Sequence, residues 1–104
     1  MNFSADLTID GATALIRLSG ELDANTAPNF FDRVTEAAQT DPERLVLVMD
    51  ELEYMSSAGL RGLAFARQKM DDDVEILVVG ANDTVAQTIR MTGFEHSVVM
   101  SDRY

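Results

Sequence analysis

Two adjacent hydroxyls, Ser56 and Ser57, stand between an apolar run, Leu45 to Met49, and a helix-like run, Leu60 to Met70. Serines placed just before an apolar-periodic segment read as a helix N-terminus, because a hydroxyl can accept a bond from an unpaired first-turn N–H. The same position suits chemical modification. A helix start gathers partial positive charge and free amide donors, so it tolerates a phosphate well. Taken alone, the pair reads as a cap, and two further features favour modification. Gly59 and Gly62 follow, where glycine costs a helix about 1 kcal/mol relative to alanine. That cost points to a small, open surface on which another backbone or an active site can approach. The junction also falls at the carboxyl end of a central strand, where open α/β sheets usually place function.

Other chemistry finds little support. His96 is the only histidine and there is no cysteine, so a transition-metal site would need mostly carboxylates, and no metal ligand is assigned. A serine triad would require His96 as its base, yet no nucleophile-elbow pattern surrounds Ser57. Neither Gly-x-x-x-x-Gly-Lys nor Gly-x-Gly-x-x-Gly occurs, so no nucleotide fingerprint is present. The acids Asp50, Glu51 and Glu53, and the run Asp71-Asp72-Asp73, read as solvated loops rather than hard-cation sites. The methionines read as core filler. No catalytic residue and no cofactor are expected.

The chain has 104 residues, with 8 Lys+Arg against 18 Asp+Glu and a formal net charge of -10. One domain over residues 1–104 is expected. Most of the excess charge lies in residues 1–53. Such acidity argues against nucleic-acid or anionic-membrane binding and favours a partner with a basic surface. With no cysteine, disulfides and thiol catalysis are excluded. The amino terminus has no signal-peptide pattern, and no apolar run approaches the roughly 20 residues that span a bilayer. A cytoplasmic protein is the simplest expectation.

The elements that must position the serines follow from periodicity. Phe3 to Ile9 and Ala12 to Leu18 predict two strands joined at Asp10-Gly11 as a hairpin. Ser19 to Thr26 predicts a loop, with Asp23 or Asn25 capping a helix through Ala27, Phe30, Phe31, Val34, Ala37 and Ala38. Pro28 suits its first turn, and Asp41-Pro42 ends it. Leu45 to Met49 predicts a central strand buried on both faces, with Asp50 to Met55 as a loop. A second helix is predicted from Leu60, with Leu63, Ala64 and Met70 facing the core. Val74 to Val79 predicts a strand. Gly80 to Asp83 turns into a third helix through Val85, Ala86, Ile89 and Met91, with Gly93-Phe94 as its stop. Ser97 to Met100 predicts a short last strand, and Ser101 to Tyr104 a polar tail. The order β-β-α-β-α-β-α-β implies an α/β fold: a mixed sheet of about five strands with a hairpin edge, covered on one face or both.

Three blocks resemble the STAS domain family, and within it the single-domain anti-sigma factor antagonists. Gly20-Glu21-Leu22-Asp23-Ala24-Asn25-Thr26-Ala27 resembles the Gly-Glu-(Leu/Ile)-Asp segment before the family's first helix. Met49-Asp50 through Met55-Ser56-Ser57-Ala58-Gly59-Leu60-Arg61 resembles its phosphorylation block. Val79-Gly80-Ala81 and Thr92-Gly93-Phe94 resemble its closing elements. The family's site often reads Asp-Ser-(Ser/Thr/Ala)-Gly, which puts Ser57 at the acceptor position and Ser56 where the family has aspartate. Ser56 is therefore a competing acceptor. The resemblance implies partner switching. An anti-sigma factor that is also an ATP-dependent serine kinase would bind the unmodified chain, phosphorylate it and let go, and a PP2C-type phosphatase would reset it. Partner contacts implied are Asp23, Asn25, Ser56, Ala58, Gly59 and Arg61. The alternative is a non-switching accessory subunit of an ABC-type lipid transport system.

Overall fold

The first two strands are held by a two-residue turn. β1 (Ser4–Asp10) and β2 (Thr13–Leu22) pair antiparallel, with Asp10 opposite Thr13. The turn residues are Gly11 and Ala12, and only Gly11 takes a positive φ, 60°. That is the glycine-first form of a tight hairpin turn. The computed structural model describes residues 3–93, 96 and 98–101.

Beyond the hairpin the order is α1 (Ala27–Ala38), β3 (Arg44–Met55), α2 (Ser57–Lys69), β4 (Glu75–Val79), α3 (Asp83–Met91) and β5 (Val99–Ser101). The sheet runs β1-β2-β3-β4-β5, parallel from β2 onward. This order never reverses. Right-handed crossovers between strands that advance in one direction put every intervening helix on the same face. Accordingly, one core holds Ile16, Leu45, Leu47 and Ile76 from the sheet with Phe30, Leu63 and Ile89 from the three helices. Burying a side chain such as Phe30 stabilises by about 1.5–3 kcal/mol. The opposite face carries a smaller cluster of Val46, Val48 and Val79, with Leu15 and Leu77 packed against it. Coverage by the described helices is therefore one-sided, and the serines do not lie at a point where strand order reverses.

The helices start for local reasons. α1 carries Pro28 in its first turn and buries Ala27, Phe30, Val34 and Ala37. It stops before Pro42, where Asp41 takes a φ of 53°. α2 ends where Arg67 donates to the carbonyls of Asp71 and Val74, tying down the acidic run. In α2 Ala66 is buried, and Ala64, expected in the core, is only half-buried. Met91 closes α3 but is 80% exposed. Gly93 takes a φ of 77° and its N–H bonds Arg90 O at 3.0 Å, as a glycine stop requires. Its expected clasp Phe94, and the expected strand start Ser97, lie outside the described residues. Of the expected tail, Ser101 belongs to β5.

Two expected loops are also corrected. Ser19 to Leu22 is strand rather than loop, and Asp50 to Met55 continues β3 rather than leaving it. The charges there suggest a loop, but β4 pairs with β3 only as far as Val48. Past that point β2 and β3 form a two-stranded ribbon with solvent beside it, so acids are tolerated at exposed positions while Leu52 and Met55 stay buried. The β2–β3 register slips twice, between Arg17 and Ser19 and between Gly20 and Glu21. Gly20, with φ 85°, supplies the conformation the second slip needs.

Candidate functional site

The ribbon ends at the serines. Ser56 is extended, φ −84° and ψ 174°, and caps α2. Its N–H donates to Leu22 O at 2.9 Å, and its carbonyl accepts from Leu60 N–H at 3.1 Å. Its Oγ accepts from Gly59 N–H at 3.3 Å. All three polar groups of Ser56 are therefore engaged in joining β2, β3 and α2. Ser57 is the first residue of α2 and is exposed. Its hydroxyl takes no part in these bonds. The helix thus starts at Ser57, three residues before the expected Leu60, because the cap at Ser56 satisfies one orphan donor. No acid occupies the first turn of α2, so the partial positive charge at this end faces solvent unopposed from within the turn.

The two glycines are used inside the protein. A Cβ on Gly59 would lie 2.7 Å from Leu22 O and 2.9 Å from Met55 Cγ. One on Gly62 would lie 2.6 Å and 2.8 Å from atoms of the Phe30 ring. Both glycines are buried. They let α2 sit directly on the end of β2 and against α1, rather than leaving the open surface expected from their small size.

Asp23 and Asn25 occupy the loop before α1. Asp23 Oδ1 accepts from Asn25 N–H at 2.9 Å and Thr26 N–H at 3.2 Å. Thr26 Oγ1 accepts from Asp23 N–H at 2.9 Å and donates to Glu21 O at 2.8 Å. The N-cap of α1 is Thr26, without a side-chain cap bond. Asp23 therefore closes its own turn instead of capping the helix, and Asn25 is exposed.

This loop neighbours the serines. A shallow groove is lined by Ala24, Ala27, Pro28, Phe31, Ala58 and Arg61, joining the starts of α1 and α2. A second groove on the other side is lined by Tyr54, Ser56, Ser57, Leu60, Thr88 and Met91, among others. Ser57 thus stands on a surface between two grooves. Tyr54, 45% exposed, and Met91 escaped the sequence reading. Met91 falls on a helical stripe that reads as core, so its exposure is hidden, whereas the charged run around Tyr54 fits its exposure but gives it no role. Among the described residues no three His, Cys, Asp or Glu side chains are grouped to hold a metal ion. Asp50 lies 3.9 Å from Arg17, and His96 is exposed. No described helix is long and apolar enough to cross a membrane.

The STAS domain model matches residues 4–104. The anti-sigma-F factor antagonist RsfB of Mycobacterium tuberculosis is 27% identical over 82 residues, 79% of this chain and 67% of the relative. The anti-sigma-B factor antagonist of Staphylococcus aureus is 26% identical over 97 residues, 91% of this chain and 89% of the relative. Among solved structures, an anti-sigma factor antagonist from Mycobacterium paratuberculosis superposes with a TM-score of 0.89 at 22% identity, covering 97% of this chain and 86% of that one. The Bacillus cell fate determinant SpoIIAA in its phosphorylated form superposes with a TM-score of 0.70 at 17% identity, covering 95% and 90%.

Proposed function

We propose that this chain, which belongs to the STAS domain family, is an anti-sigma factor antagonist switched by phosphorylation at Ser57. The observation that carries the site is the division of labour between the two serines. Ser56 Oγ is held in the cap, and Ser57 Oγ is exposed beside it. The relatives' names support the coarser reading, and the existence of a phosphorylated SpoIIAA supports the switch.

In this reading the partner is an anti-sigma factor with ATP-dependent serine kinase activity. It binds the face around Ser57 and, in doing so, gives up its sigma factor. The kinase supplies ATP and metal; this chain is the substrate and no enzyme. Asp23, Asn25, Ser56, Ala58 and Arg61 ring the contact, and Gly59 contributes from beneath by holding the turn in place. Phosphorylation adds about −1.5 to −2 charges and three acceptor oxygens. In the free protein the first-turn N–H groups of α2 stabilise that charge. Within a close interface the same charge costs desolvation and displaces the partner. A PP2C-type phosphatase restores the hydroxyl. The cycle takes place in the cytoplasm and needs neither nucleic acid nor membrane insertion by this chain.

The test is to incubate the protein with ATP and the kinase encoded beside its gene and to map phosphate by mass spectrometry. Phosphate on Ser57 is expected, with loss of the complex. An intact complex with no phosphate on either serine would overturn the switch and favour constitutive assembly, as in a transport accessory subunit.

A further inference from the structure

The strand that delivers the serines lacks a neighbour on one side over its last residues, and one side chain takes that neighbour's place. β4 pairing ends at Val48 opposite Val79. The chain then turns at Gly80, whose φ is 76° and whose Cβ would lie 2.9 Å from Asp50 Cβ. This close crossing brings Asn82 over the β3 edge. Asn82 Nδ2 donates to Leu52 O at 3.2 Å and to Glu53 O at 3.4 Å. Its Oδ1 accepts from Val85 N–H at 2.8 Å, capping α3. The orientation of the amide follows from the cap, since only an oxygen can face Val85 N–H.

Successive carbonyls of a regular strand point in opposite directions. Here Gly20 pairs with Leu52 and Glu21 with Tyr54, so Glu53 is the extra residue of a bulge. The bulge lets both carbonyls meet one amide group. Unpaired backbone groups at such a site would otherwise rely on water. Asn82 is thus bonded at once to the α3 start and to the bulge three residues before Ser56.

We propose that Asn82 is a positioning residue for the acceptor serine: it locks the Leu52–Glu53 bulge and thereby sets where Ser56 and Ser57 stand. Only asparagine among the good caps serves both ends. Aspartate keeps the cap but presents oxygen to two carbonyls, and serine keeps the cap without a paired donor. The acceptor role rests on the function proposed above; the lock itself does not.

The test uses Asn82→Asp and Asn82→Ser in the whole chain, with backbone amide hydrogen exchange read at Met55 and Ser56 and phosphorylation read as kcat/KM. Exchange at Ser56 is expected to quicken about tenfold in both variants, beyond any change at Leu47 in the sheet core, whose exchange reports global opening. Phosphorylation should fall in parallel. Ser56 exchange within about twofold of wild type in both variants would overturn the lock. Faster exchange with unchanged kcat/KM would overturn the positioning role. If wild-type protein takes no phosphate, the switch reading fails, and exchange alone then decides for or against the lock.

Discussion

The starts of α1 and α2 lie side by side at the end of β2, yet they use their polar side chains in opposite ways. Before α1, Asp23 and Thr26 bond to one another and to the backbone around them. Before α2, Ser56 alone does the capping, and the next hydroxyl is left outside the network. The first start is a closed turn, and the second is a closed turn with one exposed hydroxyl outside its bonds. In the proposed switch the acceptor is the hydroxyl that the backbone leaves unused, since the two serines are chemically identical.

Substitutions at four positions break or sharpen this contrast. The largest effect is expected at Ser57. Ser57→Ala should abolish phosphate incorporation while preserving the complex, and Ser57→Asp should weaken the complex by about tenfold, near 1.4 kcal/mol, since one carboxylate only partly mimics phosphate. Titration of both variants against the kinase checks this, and an unchanged affinity for the aspartate variant would remove the electrostatic account of release. Next comes Gly59→Ala. Its methyl would meet Leu22 O and Met55 Cγ, and overpacking of this kind costs about 1–3 kcal/mol, partly offset by helix propensity. Urea unfolding should show a lower midpoint at an unchanged slope.

Ser56→Ala comes third. Loss of the cap should cost about 1 kcal/mol, with Ser57 still phosphorylated, which mass spectrometry of the alanine variant reads directly. Phosphate lost with the Ser56 hydroxyl would reverse the assignment of roles. The smallest effect belongs to Asn25→Ala, whose exposed side chain makes none of the turn's bonds. Stability should stay within about 0.5 kcal/mol, so any weaker binding to the kinase reports a contact rather than a folding defect.

The elements before α2 show where sequence reading succeeds and where it stops. The α1 helix is legible because its apolar residues recur at helical spacing and proline marks both ends. The hairpin is legible because Gly11 can take the positive φ its turn demands. The long β2–β3 ribbon is not, because Asp50, Glu51 and Glu53 look like a loop until the missing β4 neighbour explains why solvent reaches them. Gly59 and Gly62 were legible as special positions but not as internal ones. What a glycine makes room for lies on other elements, Leu22 and Phe30.

By itself, the sequence determined the element order, the α/β class, the two adjacent hydroxyls at a helix start and the family blocks around them. These are local matters, set by periodicity, capping chemistry and the φ freedom of glycine. Tertiary structure alone decided where β3 ends and α2 begins, and so which serine takes the cap position, because the bond from Ser56 N–H reaches back to Leu22 on another strand. It also decided that the described helices share one face, through a strand order that never reverses. The second use of Asn82 was likewise invisible, since its partners lie about 30 residues earlier in the chain. A side chain's cap can be read from its neighbours in sequence, whereas its long-range bond exists only once the strand edge has been brought to it.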